Sequence, residues 1–189
     1  MNTRHPRLRP VLLFLLFTSV LQPVLAQTPR SSASAGETAD RLAVAETVAL
    51  VAYHADARDW TALRALYADE VRVDYTSLNG GEPATLRADD LMGAWRALLP
   101  GFEMTQHMLG PVVVTLEGDR ATARTHVRAL HRIAGAEGGE DWVVGGHYTY
   151  RLARQNGRWL ITDHTLGDAY QEGNRGLPAL AQQRASGRP

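Results

Sequence analysis

Beyond residue 104 the chain alternates apolar and polar residues with a period of two, and that alternation limits its fold more than any other feature. Residues 105–109, 112–116, 121–133, 142–154 and 159–166 read as strands, because a strand sends successive side chains to opposite faces. Glu117-Gly118-Asp119 and Asn156-Gly157 fall between such runs, and Asn-Gly is a strong signal for a tight antiparallel hairpin.

Before residue 100 the period is helical. Leu42, Ala45, Val48, Ala52 and Ala55 recur at spacings of three and four across residues 38–57, the stripe of an amphipathic helix. Asp59 is placed to cap a second helix over residues 60–68, with Leu63, Leu66 and Tyr67 on its buried face. Residues 71–75 alternate as a short strand, and Asn79-Gly80-Gly81 with Pro83 marks a loop. A third helix is expected over 88–98, closed by Pro100-Gly101. Helices first and an antiparallel sheet afterwards is an α+β layout.

Arg4, Arg7 and Arg9 precede an apolar run over 11–21, and Val24-Leu25-Ala26 stands before Gln27. Residues 1–26 therefore read as a signal peptide, and the protein as exported, periplasmic or secreted. The run is shorter than the roughly 20 residues that span a bilayer core, so no stable membrane anchor is expected after cleavage. Residues 27–37 read as a flexible linker, 38–170 as one domain, and 171–189 as a loose tail with an apolar contact through Leu177 and Leu180. Those three arginines are among the chain's 20 basic residues, which leaves 17 against 20 acidic ones and no nucleic-acid footprint. The absence of cysteine removes disulfides, thiol nucleophiles and Cys-ligated metals, and the absence of lysine removes Schiff-base chemistry.

The residues that could carry chemistry form a short series: Ala55-Asp56-Ala57-Arg58-Asp59-Trp60, Arg72-Val73-Asp74-Tyr75, Thr105-Gln106-His107 and Thr125-His126-Val127-Arg128, with His131 nearby and Asn156-Gly157-Arg158-Trp159 near the end. In this order and spacing they resemble the scytalone dehydratase branch of the NTF2-like (SnoaL-like) superfamily, over residues 39–170. The resemblance implies a curved antiparallel sheet that forms, with its helices, a cone around one pocket, and a sheet face that commonly pairs with a second copy, hence a homo-oligomer. It implies a lyase that uses no cofactor or metal and moves a proton next to a carbonyl of a small apolar substrate. His107 would be the base, Asp56 the carboxylate that fixes its tautomer, Tyr75 a donor to the carbonyl oxygen, and His126 the group that assists departure. Ala55 stands where the family has a tyrosine and Tyr148 where it has an asparagine, both in contact with substrate, so scytalone itself is not the expected substrate.

Period two leaves one alternative open. Arg124, His126, Arg128 and Leu130 share one strand face; Ala123, Thr125, Val127, Ala129 and His131 share the other. If the second face lines the pocket, His131 replaces His126. One of His147 and Tyr148 faces inward, and His54 and His164 read as surface histidines. Isomerase or polyketide-cyclase-like chemistry would use the same groups. A non-catalytic periplasmic ligand-binding or assembly module is the other reading, since a fold does not settle function.

Overall fold

The computed structural model describes residues 33–187; the expected signal peptide, residues 27–32 of the expected linker and residues 188–189 lie outside them. Ser34 accepts a hydrogen bond from the Glu37 N–H at 3.1 Å and opens helix α1 (Ala35–Ala57). The helix thus begins within the expected linker, because a serine cap satisfies one of its free N–H groups. Its buried stripe runs through Val44, Val48, Val51, Ala52 and Ala55, while Leu42 is exposed. Asp59 caps α2 (Trp60–Arg64) by accepting from the Ala62 N–H at 3.0 Å.

The expected second helix stops early. Tyr67 opens strand β1 (Tyr67–Asp74), which runs parallel to the last strand, and pairing with the sheet overrides the helical propensity of residues 65–68. A short helix α3 (Thr76–Asn79), strand β2 (Ala84–Arg87) and helix α4 (Ala88–Arg96) follow. The sequence marks a loop at Asn79-Gly80-Gly81 and Pro83 and gives no signal for α3 or β2 beside it; β2 is an edge strand of four residues, too short to show a period.

The remaining strands are β3 (Met104–Leu109), β4 (Val113–Glu117), β5 (Arg120–Arg132), β6 (Asp141–Gln155) and β7 (Arg158–Gly173); the first four lie within a residue or so of the alternating runs, whereas β7 continues well past the expected 159–166. The sheet order is β2-β1-β7-β6-β5-β3, with β4 also on β5, and every pairing except β1–β7 is antiparallel. Asn156 and Gly157 both have positive φ (50° and 77°) in the β6–β7 turn, as a type I′ hairpin requires. The sheet is curved and unclosed, the NTF2-like cone architecture.

Strand β7 contains two bulges. Arg151 pairs with Asp163 and Leu152 with Ile161, so Thr162 has no opposite residue. His147 pairs with Gly167 and Gly145 with Tyr170, so Asp168 and Ala169 oppose Gly146 alone, with Asp168 at φ 50°. Each extra residue bends the strand and shifts which side chains face inward.

The C-terminal segment is not a loose tail. Strand β7 runs through Gly173, and helix α5 (Leu177–Ala185) buries Leu177 and Ala181 completely, in one cluster with Phe102, Ile133 and Trp142. Leu177, Leu180 and Ala181 are apolar positions at helical spacing, and the mouth of the sheet gives them a surface to cover. A Cβ on Gly101 would come within 1.9 Å of the Ala181 carbonyl oxygen, so glycine permits this close approach. Leu177→Ala should cost about 2–4 kcal/mol in urea unfolding, as buried leucines do; a change within about ±0.5 kcal/mol would mean that the segment is indeed a tail.

Candidate functional site

Helix α1 ends on Asp56 and Ala57 because Arg58 takes the left-handed conformation (φ 59°) as its C-cap. This terminus packs against β3, so Asp56 meets His107 across 51 residues of sequence. The carboxylate accepts three hydrogen bonds: from the His107 backbone N–H to Oδ2 at 2.7 Å, from the Thr105 hydroxyl to Oδ1 at 2.8 Å, and from His107 Nδ1 to Oδ1 at 2.7 Å. Burial pushes the Asp56 carboxyl up, but the His107 hydrogen bonds and ring charge and the Thr105 hydroxyl outweigh it and hold the carboxyl below its ordinary value. An ionised carboxylate only accepts, so Nδ1 carries the proton and Nε2 is the basic atom of the neutral ring.

Arg58 supports this arrangement from behind. Its guanidinium donates to Thr105 Oγ1 at 2.7 Å, to the Ala55 carbonyl at 2.9 Å and to the Leu99 carbonyl at 2.8 Å. Thr105 accepts from Arg58 and donates to Asp56, which sets the direction of its hydroxyl. Neither Arg58 nor Thr105 was singled out from the sequence, although both lie in the motifs that carry the resemblance. An arginine on the residue after a helix end looks like any surface cation until its partners are known.

The cone holds a cavity of about 580 Å³ between α1, α3, α4 and the inner sheet face. Its wall is largely apolar, with Val51, Ala52, Ala55, Leu91, Leu99, Val127, Val144 and Leu166 among the contributors. His107, His131, His164, Tyr75, Tyr148 and Tyr150 bring polar atoms to it, and Asn79, Glu82, Gln171 and Gln182 also line it. Among the described residues no arginine lines the cavity, so they offer no fixed cation to an anionic ligand. Asp56 lies on the far side of His107, in a shallow groove with Tyr53 and Gln106.

The inner face of β5 is the one with small residues. Ala123, Thr125, Val127, Ala129 and His131 are buried, whereas Arg124, His126 and Arg128 are exposed. The expectation that His126 serves the pocket is therefore corrected: two flanking arginines need water, and the strand puts that face outside. His126 instead lies with its ring 4.7 Å from that of His147, its cross-strand partner, tilted by 50°, and His147 contacts Asp168 at 3.3 Å. Tyr148 is the inward member of the His147-Tyr148 pair. His131 takes the inner place, with its ring 5.5 Å from that of His107, edge to face. Its Nδ1 is buried without a partner. Burial, then the neighbouring His107 charge, pushes its pKa down to about 3.

Of the two histidines read as surface residues, His54 is half-buried, 4.0 Å from Asp59. His164 is 1 % exposed and lies at the cavity wall. It escaped the sequence reading because the bulge at Thr162 breaks the alternation: Trp159 and Ile161 face inward, and then His164 and Leu166 do. Tyr75, just past β1, reaches His164 Nε2 at 3.2 Å. Burial raises both the Tyr75 and Tyr148 hydroxyls, and the Asp56 charge raises Tyr148 further, so both phenols stay protonated.

The His131 environment sets a pH dependence of stability. The unfolded ring ionises near 6.5 and the folded one near 3, so the unfolded chain binds the extra proton between these values. The contribution is fully present above about 6.5 and is lost as pH falls. Replacing His131 by Phe should flatten the stability profile from urea unfolding by about 1.4 kcal/mol per pH unit between about pH 4 and 6; an unaltered slope would show that the ring is already charged in the fold.

The SnoaL-like domain family matches residues 36–165. No curated protein matches the chain. The protein Kfla4162 of Kribbella flavida is similar over 77% of this chain and 98% of its own, at 32% identity and a TM-score of 0.69. A candidate scytalone dehydratase from Novosphingobium aromaticivorans covers 73% of this chain and 89% of its own, at 20% identity and a TM-score of 0.61. A type 3 hexachlorocyclohexane dehydrochlorinase (LinA) from Novosphingobium barchaimii covers 74% and 92%, at 18% identity and a TM-score of 0.57. The latter two likenesses are of fold. With the family match spanning most of the described residues, this chain belongs to the SnoaL-like domain family of the NTF2-like fold.

Proposed function

We propose that the protein is a cofactor-independent lyase, dehydratase-like, that removes a proton next to a carbonyl group of a small, neutral, mostly apolar molecule held in the cone. The observation that carries the reading is the Asp56–His107 pair at 2.7 Å, with the His107 ring at the cavity wall. His107 Nε2 takes the proton, the C–H electrons move into a developing enolate, and Asp56 holds the resulting imidazolium. Such a base contributes roughly 10²–10⁴ in rate.

Tyr75 and Tyr148 stay protonated and act as donors to the enolate oxygen. The enolate then expels a leaving group from the neighbouring carbon. His131 replaces His126 as the residue nearest that event, and its unpartnered Nδ1 is a polar atom that a bound molecule would satisfy. Re-protonation at a different carbon would make the same site an isomerase. The absence of a cation from the lining favours an uncharged substrate over a carboxylate or phosphate. With the leader of residues 1–26, the place of action is outside the cytoplasm.

A panel of neutral carbonyl compounds with a leaving group on the β-carbon, run in deuterated water, tests the reading. Turnover or α-proton exchange is expected for the wild type. A fall of about 10²–10⁴ in kcat is expected for His107→Ala, and a marked loss for Asp56→Asn. Activity that survives both changes would sink the mechanism. Tight ligand binding with neither exchange nor turnover would favour the binding-module reading.

A further inference from the structure

His164 has no part in the proton transfer proposed above, yet it is the most enclosed imidazole lining the cavity, 1 % exposed. Its Nδ1 stands 3.0 Å from the Tyr67 hydroxyl and its Nε2 3.2 Å from the Tyr75 hydroxyl. Tyr67 is 2 % exposed, and His164 is the partner its hydroxyl has among the described residues. Burial, then the nearby His107 charge, pushes His164 down to about 3, so the ring is neutral and carries one N–H and one lone pair.

Of the two tautomers, only one gives the enclosed Tyr67 proton an acceptor among the described residues. If Nδ1 held the proton it would donate to Tyr67, and the Tyr67 proton would be buried with no acceptor, which folded proteins avoid. The bare Nε2 would then take up the single proton of Tyr75. In the other tautomer Tyr67 donates to Nδ1, Nε2–H donates to the Tyr75 oxygen, and the Tyr75 proton is left free. Tyr75 lines the cavity, so that proton has the bound molecule or Tyr148 to meet.

We infer that His164 is a positioning residue: the buried Tyr67 hydroxyl holds it as the Nε2-protonated tautomer, and its donation to Tyr75 turns the Tyr75 O–H into the cavity as a donor to a substrate oxygen. The aromatic rings around it fix the imidazole plane, since Tyr150 and Tyr148 lie 4.3 Å and 4.8 Å away, and Trp95 6.1 Å. A donation into Tyr75 also polarises its hydroxyl, and chained hydrogen bonds strengthen one another. The role of Tyr75 toward substrate rests on the enzyme reading proposed above; the tautomer does not.

The test is nitrogen-15 NMR of the whole, histidine-labelled protein near neutral pH, with the His164 signals assigned from their loss in His164→Gln. The expected pattern is a bare Nδ1 and a protonated Nε2, with that preference reduced in Tyr67→Phe. A protonated Nδ1, or a pattern unmoved by Tyr67→Phe, overturns the inference. These spectra need no turnover, so a substrate panel that shows no activity sinks the enzyme reading and leaves the tautomer result intact. With an active substrate, Tyr67→Phe is expected to lower kcat roughly 10-fold with KM little changed, less than the 10²–10³ of removing a donor that touches the oxygen itself. His164→Gln, whose amide N–H reaches the Nε2 position, should retain more kcat than His164→Leu. Equal kcat in Tyr67→Phe and wild type overturns the relay.

Discussion

The continuous register between β5 and β6 is the constraint on which the rest of the molecule depends. It runs unbroken from Arg120 opposite Ala153 to Arg132 opposite Asp141. Side chains alternate strictly along it, so a slip of one residue would send Arg124, His126 and Arg128 into the cone and Val127, Ala129 and His131 into water. Burying those arginines without partners would be prohibitive. On β5 the cavity is lined by Val127, Ala129 and His131, and the short Ala129 side chain leaves space between the sheet and the helices.

On this frame the site is built from groups whose environments differ over a few ångströms. Asp56 is ionised because its carboxylate accepts three hydrogen bonds at the helix end. His131 and His164 are neutral because the apolar wall would have to solvate their charge. Both share the cavity with His107, yet among the described residues neither has a carboxylate partner, and that difference is what favours His107 as the base in the proposed reaction. The Arg58 guanidinium is held on Thr105 and on the Ala55, Asp56 and Leu99 carbonyls, so it orders the Asp56–His107 pair without adding a cation to the cavity lining.

The elements closest in sequence to their own signals were the ones legible beforehand. The Asp59 cap, the Asn156-Gly157 hairpin and the five long strands from β3 to β7 depend on local turn chemistry and on alternation, and the structure has them where those signals lie. The second helix ended early because residues 65–68 gain a parallel partner in β7. The last helix read as a tail because residues 171–189 are rich in Gly, Gln, Arg and Ser, while the short apolar face of α5 is recognisable only against the surface it covers.

By itself the sequence determined the α+β order, the period of each strand and the two alternative faces of β5, because these follow from backbone geometry and the cost of burying charge. It also removed thiol and Schiff-base chemistry, since no cysteine or lysine is present. Only the tertiary structure decided that Asp56 meets His107, that His131 and not His126 faces the cavity, and that His164 joins Tyr67 to Tyr75. The reason is physical. The first contact joins a helix end to a strand 51 residues away, the second depends on which sheet face the helices cover, and the third on a one-residue bulge at Thr162, and none of these has a local pattern in the chain.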